Sequence, residues 1–259
     1  MSKTVVAGAA ALLLALPCRG TCPRTPFPVA VPTSAAAAAV RIGNTRIMLG
    51  SGVGIFIHSL EGRLVPLGAG RPRIDDLQSI LVIERAEVSF DGSDSAALMN
   101  NFVLKDSSVK NIRITTEGTE LVQSARLRGF FSWFAVNFRG ALRQEGGLIH
   151  LHPTRFTADW LGIKLEDHIG AKPEDGMCVE KNEIFLDPPR MLKKLLLVTG
   201  VLTGAFVREG HIVEIFGQPA AATGSFIEFV ESGRPVAHID TNGSARTLGS
   251  VQQEWDAAP

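Results

Sequence analysis

Net charge is missing from this chain: 26 Lys and Arg balance 26 Asp and Glu over 259 residues. Such a surface sets up no broad field to draw in a polyanion, and the aromatic residues are not interleaved with a basic patch, so DNA and RNA are excluded as partners. Cysteine is scarce as well. The three present are Cys18, Cys22 and Cys178; loss of a leader carrying Cys18 leaves two whose pairing the sequence does not decide, and the expectation is a fold that does not depend on a disulfide. Also absent are a GxSxG elbow, an HExxH helix, a Walker loop and a CxxC pair, which removes the common motif-bearing hydrolases, zinc proteases, nucleotidases and thiol redox enzymes. GSGVG at Gly50 to Gly54 lacks GxGxxG spacing and runs into the strand-like Ile55-Phe56-Ile57, so it reads as a bend where backbones pass closely.

No apolar run reaches the roughly 20 residues of a bilayer span. Lys3 followed by the apolar stretch Thr4 to Leu16 instead has the charge, length and order of a secretory signal peptide, which places the mature chain in the periplasm or cell envelope. Three variants stand beside this reading: acylation at Cys18, although Pro17 precedes it where a small residue belongs; cleavage within Ala35 to Ala39; and an uncleaved apolar N-terminus. From Pro17 to Ala39 the chain is rich in Pro, Ala and Thr and reads as a linker. Residues 1–39 are therefore assigned to signal and leader, 40–240 to a single domain, and 241–259, polar and small, to a disordered tail.

The content of 45% hydrophobic residues is ample for a core. The domain opens as strand, glycine-rich bend and strand, with a hairpin turn expected at Glu61-Gly62. Ile80 to Phe90 is a further strand, and Asp91-Gly92-Ser93-Asp94 supplies the cap of a helix running to Leu104, on which Leu98 and Phe102, and Met99 and Val103, stack four apart. Asn100 and Asn101 are expected at exposed positions. Val109 to Glu117 and Thr119 to Arg128 read as strands. In Phe130 to Phe138, a strand would place Phe130, Phe134, Val136 and Phe138 on one side and Phe131, Trp133 and Ala135 on the other. Both faces are then apolar: either the strand is buried on both sides, or one face lines a cavity or touches lipid. Trp160 to Ile169 is expected to form a short amphipathic helix.

Gly176 to Gly217 organises the chain. Met177 to Glu180 and Glu183 to Leu186 form a hairpin around Lys181-Asn182; Asp187 then caps a helix begun by Pro188. Met191, Leu192, Leu195 and Leu196 recur at helical spacing as its apolar face. Val201 to Val207 and His211 to Phe216 follow as strands around Glu209-Gly210, and Ser225 to Val230 as one more. Nothing in this unit is arranged for bond-making chemistry.

His150 and His152, two apart on a strand, face the same side as a metal pair must, but no ligand spacing is completed and the expectation is that they stand on a solvated strand face. They support the rival reading of a metal-dependent hydrolase. A third reading is a structural envelope scaffold with a filled interior.

The order of elements, VIERAEVSFDGSDSAALMNNFVL, then LIHLHPTRFTADWLGIKLED, then IFLDPPRML and a hairpin ending VEIFG, resembles the LmeA-like family of exported bacterial phospholipid-binding proteins, related to the tubular lipid-binding (TULIP) superfamily. The similarity spans roughly Ile80 to Gly217, and its most specific piece is Leu186 to Arg190. It implies an α+β fold in which a strongly curved antiparallel β-sheet wraps a few short helices around an apolar tunnel. It further implies a non-enzymatic protein without a cofactor that holds phospholipid or another acyl-chain lipid, carries it within the envelope and touches the membrane transiently. Taken from the apolar faces above, the expected tunnel lining is Met99, Phe102, Val103, Phe134, Phe138, Met191, Leu192, Leu195 and Phe206.

Overall fold

The computed structural model describes residues 22–26, 30, 36–49, 52–75, 78–103, 109–128, 132–158, 176–192 and 196–258. The expected helix at Trp160 to Ile169, the residues Phe130, Phe131 and Leu195, and the signal segment lie outside them, as do the side chains of Phe102 and Val103.

Most of the described chain is antiparallel sheet, in two layers. Strands β1 (Ala38–Met48), β2 (Gly54–Pro66) and β3 (Ser79–Phe90) form a meander. Alternating burial, with Val40, Ile42, Leu60 and Leu64 inside, fixes their register. The hairpin expected at Glu61-Gly62 is not there, because β2 continues through it. Gly62 instead sits at a bulge against β3, where a Cβ would come within 2.3 Å of the Val82 carbonyl oxygen. Glycine serves here for close approach rather than chain reversal.

Asp91 caps α1 (Gly92–Leu98) by accepting from the Asp94 N–H at 2.7 Å, as its position before the apolar run dictates. A turn of π-helix, Met99–Val103, extends it. Asn100 is not simply exposed: its amide exchanges two hydrogen bonds with the Ile112 backbone, at 2.9 and 3.0 Å. Asp94 is buried, accepts from the Gly54 N–H at 2.7 Å and pairs with Arg46, which clamps the helix to the β1–β2 connection.

The second layer has the order β4 (Val109–Glu117), β5 (Glu120–Arg128), β6 (Trp133–Glu145), β7 (Leu148–Ala158), β9 (Glu183–Leu186) and β8 (Met177–Glu180). In β6 only one face is fully buried. Phe134, Val136 and Phe138 point into the core, whereas Trp133 is 39% exposed and lies under the Lys110 ammonium. The hairpin at Lys181-Asn182 forms as expected, with both residues at positive φ. Helix α2 (Pro188–Leu192) follows Asp187, whose carboxylate accepts from the Arg190 N–H at 3.4 Å. The helical face does not extend through Leu196: that residue takes a φ of 57°, and β10 (Leu197–Thr199) pairs in parallel with β3. β11 (Leu202–Arg208) and β12 (His211–Phe216) return the chain to the first layer beside β3.

The C-terminal region overturns the expectation of a disordered tail. β13 (Phe226–Glu231) pairs with β1, β14 (Arg234–Asp240) pairs with β13, and β15 (Arg246–Thr247) leads into α3 (Leu248–Asp256). Val251 and Trp255, one helical turn apart, have no exposed surface. Buried Gln252 accepts from the Ile74 N–H at 2.8 Å. A polar average over residues 241–259 conceals this one-sided apolar stripe, and burial of a Trp and a Val outweighs the entropy of ordering so short a helix.

The leader likewise is not wholly separate from the domain. Cys22 is buried and disulfide-bonded to Cys178, joining positions 156 residues apart, so the expectation of a fold without a structural disulfide is corrected. Arg24 pairs with Glu180 at 3.1 Å and covers the Phe185 ring.

Candidate functional site

A cavity of about 190 Å³, open on one side, lies against the inner face of the second sheet and is bordered by α1, α2 and β12. Strand alternation sends one set of side chains into it: Leu121, Ala125 and Leu127 from β5, Val136 and Phe138 from β6, Ile149 and Leu151 from β7. Leu98 and Met99 come from the α1 side, Met191 and Leu192 from α2. Among the described residues, polar side chains enter the lining only from Ser95, Gln123, Ser124 and Glu214.

Four of the nine expected lining residues, Met99, Phe138, Met191 and Leu192, reach the cavity. Phe134 and Phe206 do not. Phe134 is packed in the core, and Phe206 lies within 5.8 Å of the Arg208 guanidinium, away from the lining. Periodicity identifies a buried face but not whether side chains or empty space stand opposite it. That depends on which strands end where.

Glu214 was missed altogether. It follows Ile212 by two on β12, so both side chains enter the cavity. Its cross-strand neighbours are Ala205 on β11 and Val88 on β3, and its neighbours along the strand on that face are Ile212 and Phe216. All four are buried and apolar. No hydrogen bond or ion pair reaches the carboxyl among the described residues. Desolvation alone pushes its pKa up to about 7. The signal in the sequence was a lone acid within HIVEIF, an otherwise apolar strand face.

The histidine pair belongs to another place. Ile149 and Leu151 face the cavity, so His150 and His152 stand on the opposite face of the sheet. Glu183, supplied by β9, bridges them: its oxygens lie 3.2 Å from His150 Nε2 and 2.9 Å from His152 Nδ1. The three donor atoms fall within 4.8 Å of one another, a set chemically suited to a divalent metal such as zinc. His150 is no solvated strand residue. It is buried, stacked on Phe185 at 4.4 Å, with Nδ1 3.1 Å from Glu145 but off-line for a hydrogen bond. The imidazole holds the Glu145 carboxyl below the ordinary carboxylate range. Pairing of β7 with β9 created this cluster, and no sequence spacing announces it.

Among the described residues no helix is long and apolar enough to cross a membrane. Comparison of the chain with protein-family models, curated proteins and solved structures returned no match.

Proposed function

We propose that this chain is an exported, non-enzymatic binding protein for phospholipid or a similar amphiphile, carrying lipid within the cell envelope. The observation that carries the reading is the apolar cavity between the second sheet and the two short helices. Its lining is almost wholly apolar, so each methylene of an acyl chain drawn from water into it gains roughly 0.8 kcal/mol. The volume exceeds the ~150 Å³ that admits benzene and falls below the ~300 Å³ of drug-sized pockets, which suits a segment of one hydrocarbon tail. The resemblance to LmeA-like and TULIP proteins supports the same reading, with the cavity as the described part of a tunnel in a curved sheet. The Cys22–Cys178 bond is in keeping with an exported location.

Native mass spectrometry of the gently purified protein tests the proposal. Co-purifying lipid, or uptake of a fluorescent lipid, is expected, and Ala125→Trp, which fills the cavity, is expected to abolish either. Neither lipid nor uptake in the unmodified protein removes the reading.

A second reading, a metal-dependent hydrolase, is favoured by the His150–His152–Glu183 cluster alone. The cluster lies across the sheet from the cavity, so a metal there would not reach a molecule held inside. Elemental analysis of protein dialysed against zinc tests it, with loss of metal in the double His150→Ala, His152→Ala variant as the expected result.

A further inference from the structure

An apolar cavity made only to hold hydrocarbon has no use for a carboxyl. Glu214 is nonetheless directed into this one, from a strand whose four nearest same-face neighbours are Ala205, Val88, Ile212 and Phe216. It has no cation beside it and no donor within reach among the described residues. A half-buried carboxyl set among apolar side chains without a partner is desolvated at a cost, so the position stands out against its surroundings. Desolvation lifts its pKa to about 7, so near neutrality it passes readily between the neutral acid and the carboxylate with which a cationic guest pairs. The other polar lining groups, Ser95, Gln123 and Ser124, are uncharged.

We infer that Glu214 is the polar anchor of the cavity, and that the ligand is an amphiphile bringing a small hydrogen-bond donor, a primary amine ahead of a hydroxyl, into the apolar interior against this carboxyl. The inference rests on the cavity being a binding site. A primary ammonium fits because it supplies both charge and N–H donors in the volume of a methyl group. A quaternary ammonium carries the charge without a donor and is bulkier. A carboxylate meets Glu214 as a like charge or must take up a proton to enter. Charge-assisted hydrogen bonds in a water-poor site discriminate by roughly 10–100-fold.

Titration calorimetry of the full chain at neutral pH with decylamine, decanol, decyltrimethylammonium and decanoate tests this. Decylamine is expected to bind most tightly, about tenfold or more above decyltrimethylammonium, with decanoate weakest. In Glu214→Gln, which keeps the side chain's shape, the advantage of amine over alcohol should disappear and decanoate should gain. Equal binding of all four probes by the unmodified protein overturns the inference and leaves the cavity as a site. An unchanged order in Glu214→Gln overturns it in the same way. Binding of none removes the cavity reading as well.

Discussion

Trp255 lies flat on Phe229, with ring centroids 3.9 Å apart and planes 5° from parallel. One ring belongs to the last helix and the other to β13, which pairs with the first strand of the domain. Both are wholly buried, and the Arg71 guanidinium covers the indole from 4.6 Å. The C-terminal helix is therefore part of the first sheet's core. Trp255→Ala is expected to cost about 3–5 kcal/mol, and Trp255→Phe much less, since the indole N–H has no hydrogen-bond partner among the described residues. Urea denaturation of the two variants checks the order; equal midpoints for Trp255→Ala and the unmodified chain would show the helix to be dispensable.

The disulfide closes a loop spanning 156 positions, and the chain-entropy relation for a loop of that length gives about 5 kcal/mol as an upper value. Adding reductant, or replacing Cys22 and Cys178 by serine, is expected to lower the unfolding midpoint and to release Arg24 from Phe185. Thermal melts with and without dithiothreitol decide it, and coincident curves would mean that the bond contributes nothing.

Glu214 ties stability to pH. Its carboxyl has a folded-state pKa near 7, above the unfolded value of 4.5, so the folded chain holds the proton more tightly. Stability from this group is fully present below the unfolded pKa and is lost as pH rises through about 7. Glu214→Gln should flatten that part of the profile and gain about 1–3 kcal/mol at pH ~8 relative to the parent. Urea unfolding across the range reads it directly; parallel profiles for parent and variant would contradict the desolvation of the carboxyl.

Two glycines should respond to alanine with opposite signs. At Gly62 the added methyl meets the Val82 carbonyl oxygen at 2.3 Å, backbone against backbone, and Gly62→Ala is expected to cost about 2 kcal/mol or more. Gly249 in α3 has nothing within 4 Å of its Cβ position, so Gly249→Ala is expected to stabilise by about 0.5 kcal/mol. Differential scanning calorimetry distinguishes them, and a shared sign would disprove the argument from space.

Local chemistry was legible wherever neighbours in sequence supply the partners. Asp91 caps α1 and Asp187 precedes α2 as their positions before Gly92 and Pro188 require. The Lys181-Asn182 and Glu209-Gly210 turns follow from Asn182 and Gly210, residue types that accept positive φ readily. Gly62 misled because the same residue type serves a turn and a close approach, and only the neighbouring strand distinguishes them. The tail misled because one Trp and one Val are few in a polar stretch, although Thr247 and Ser250 form a capping box and Val251 and Trp255 are spaced by four.

By itself the sequence determined the antiparallel strand-rich class, the helix starts at Asp91 and Asp187, and that Phe134, Val136 and Phe138 share one face of β6. These follow from side-chain period and cap chemistry within a few residues. Only the tertiary structure decided that Cys22 meets Cys178, that Glu183 comes between His150 and His152, and that the inward faces around Glu214 stop short of one another. Each depends on pairing between strands far apart in the chain, and the volume left between two apolar faces is set by where their strands and helices end.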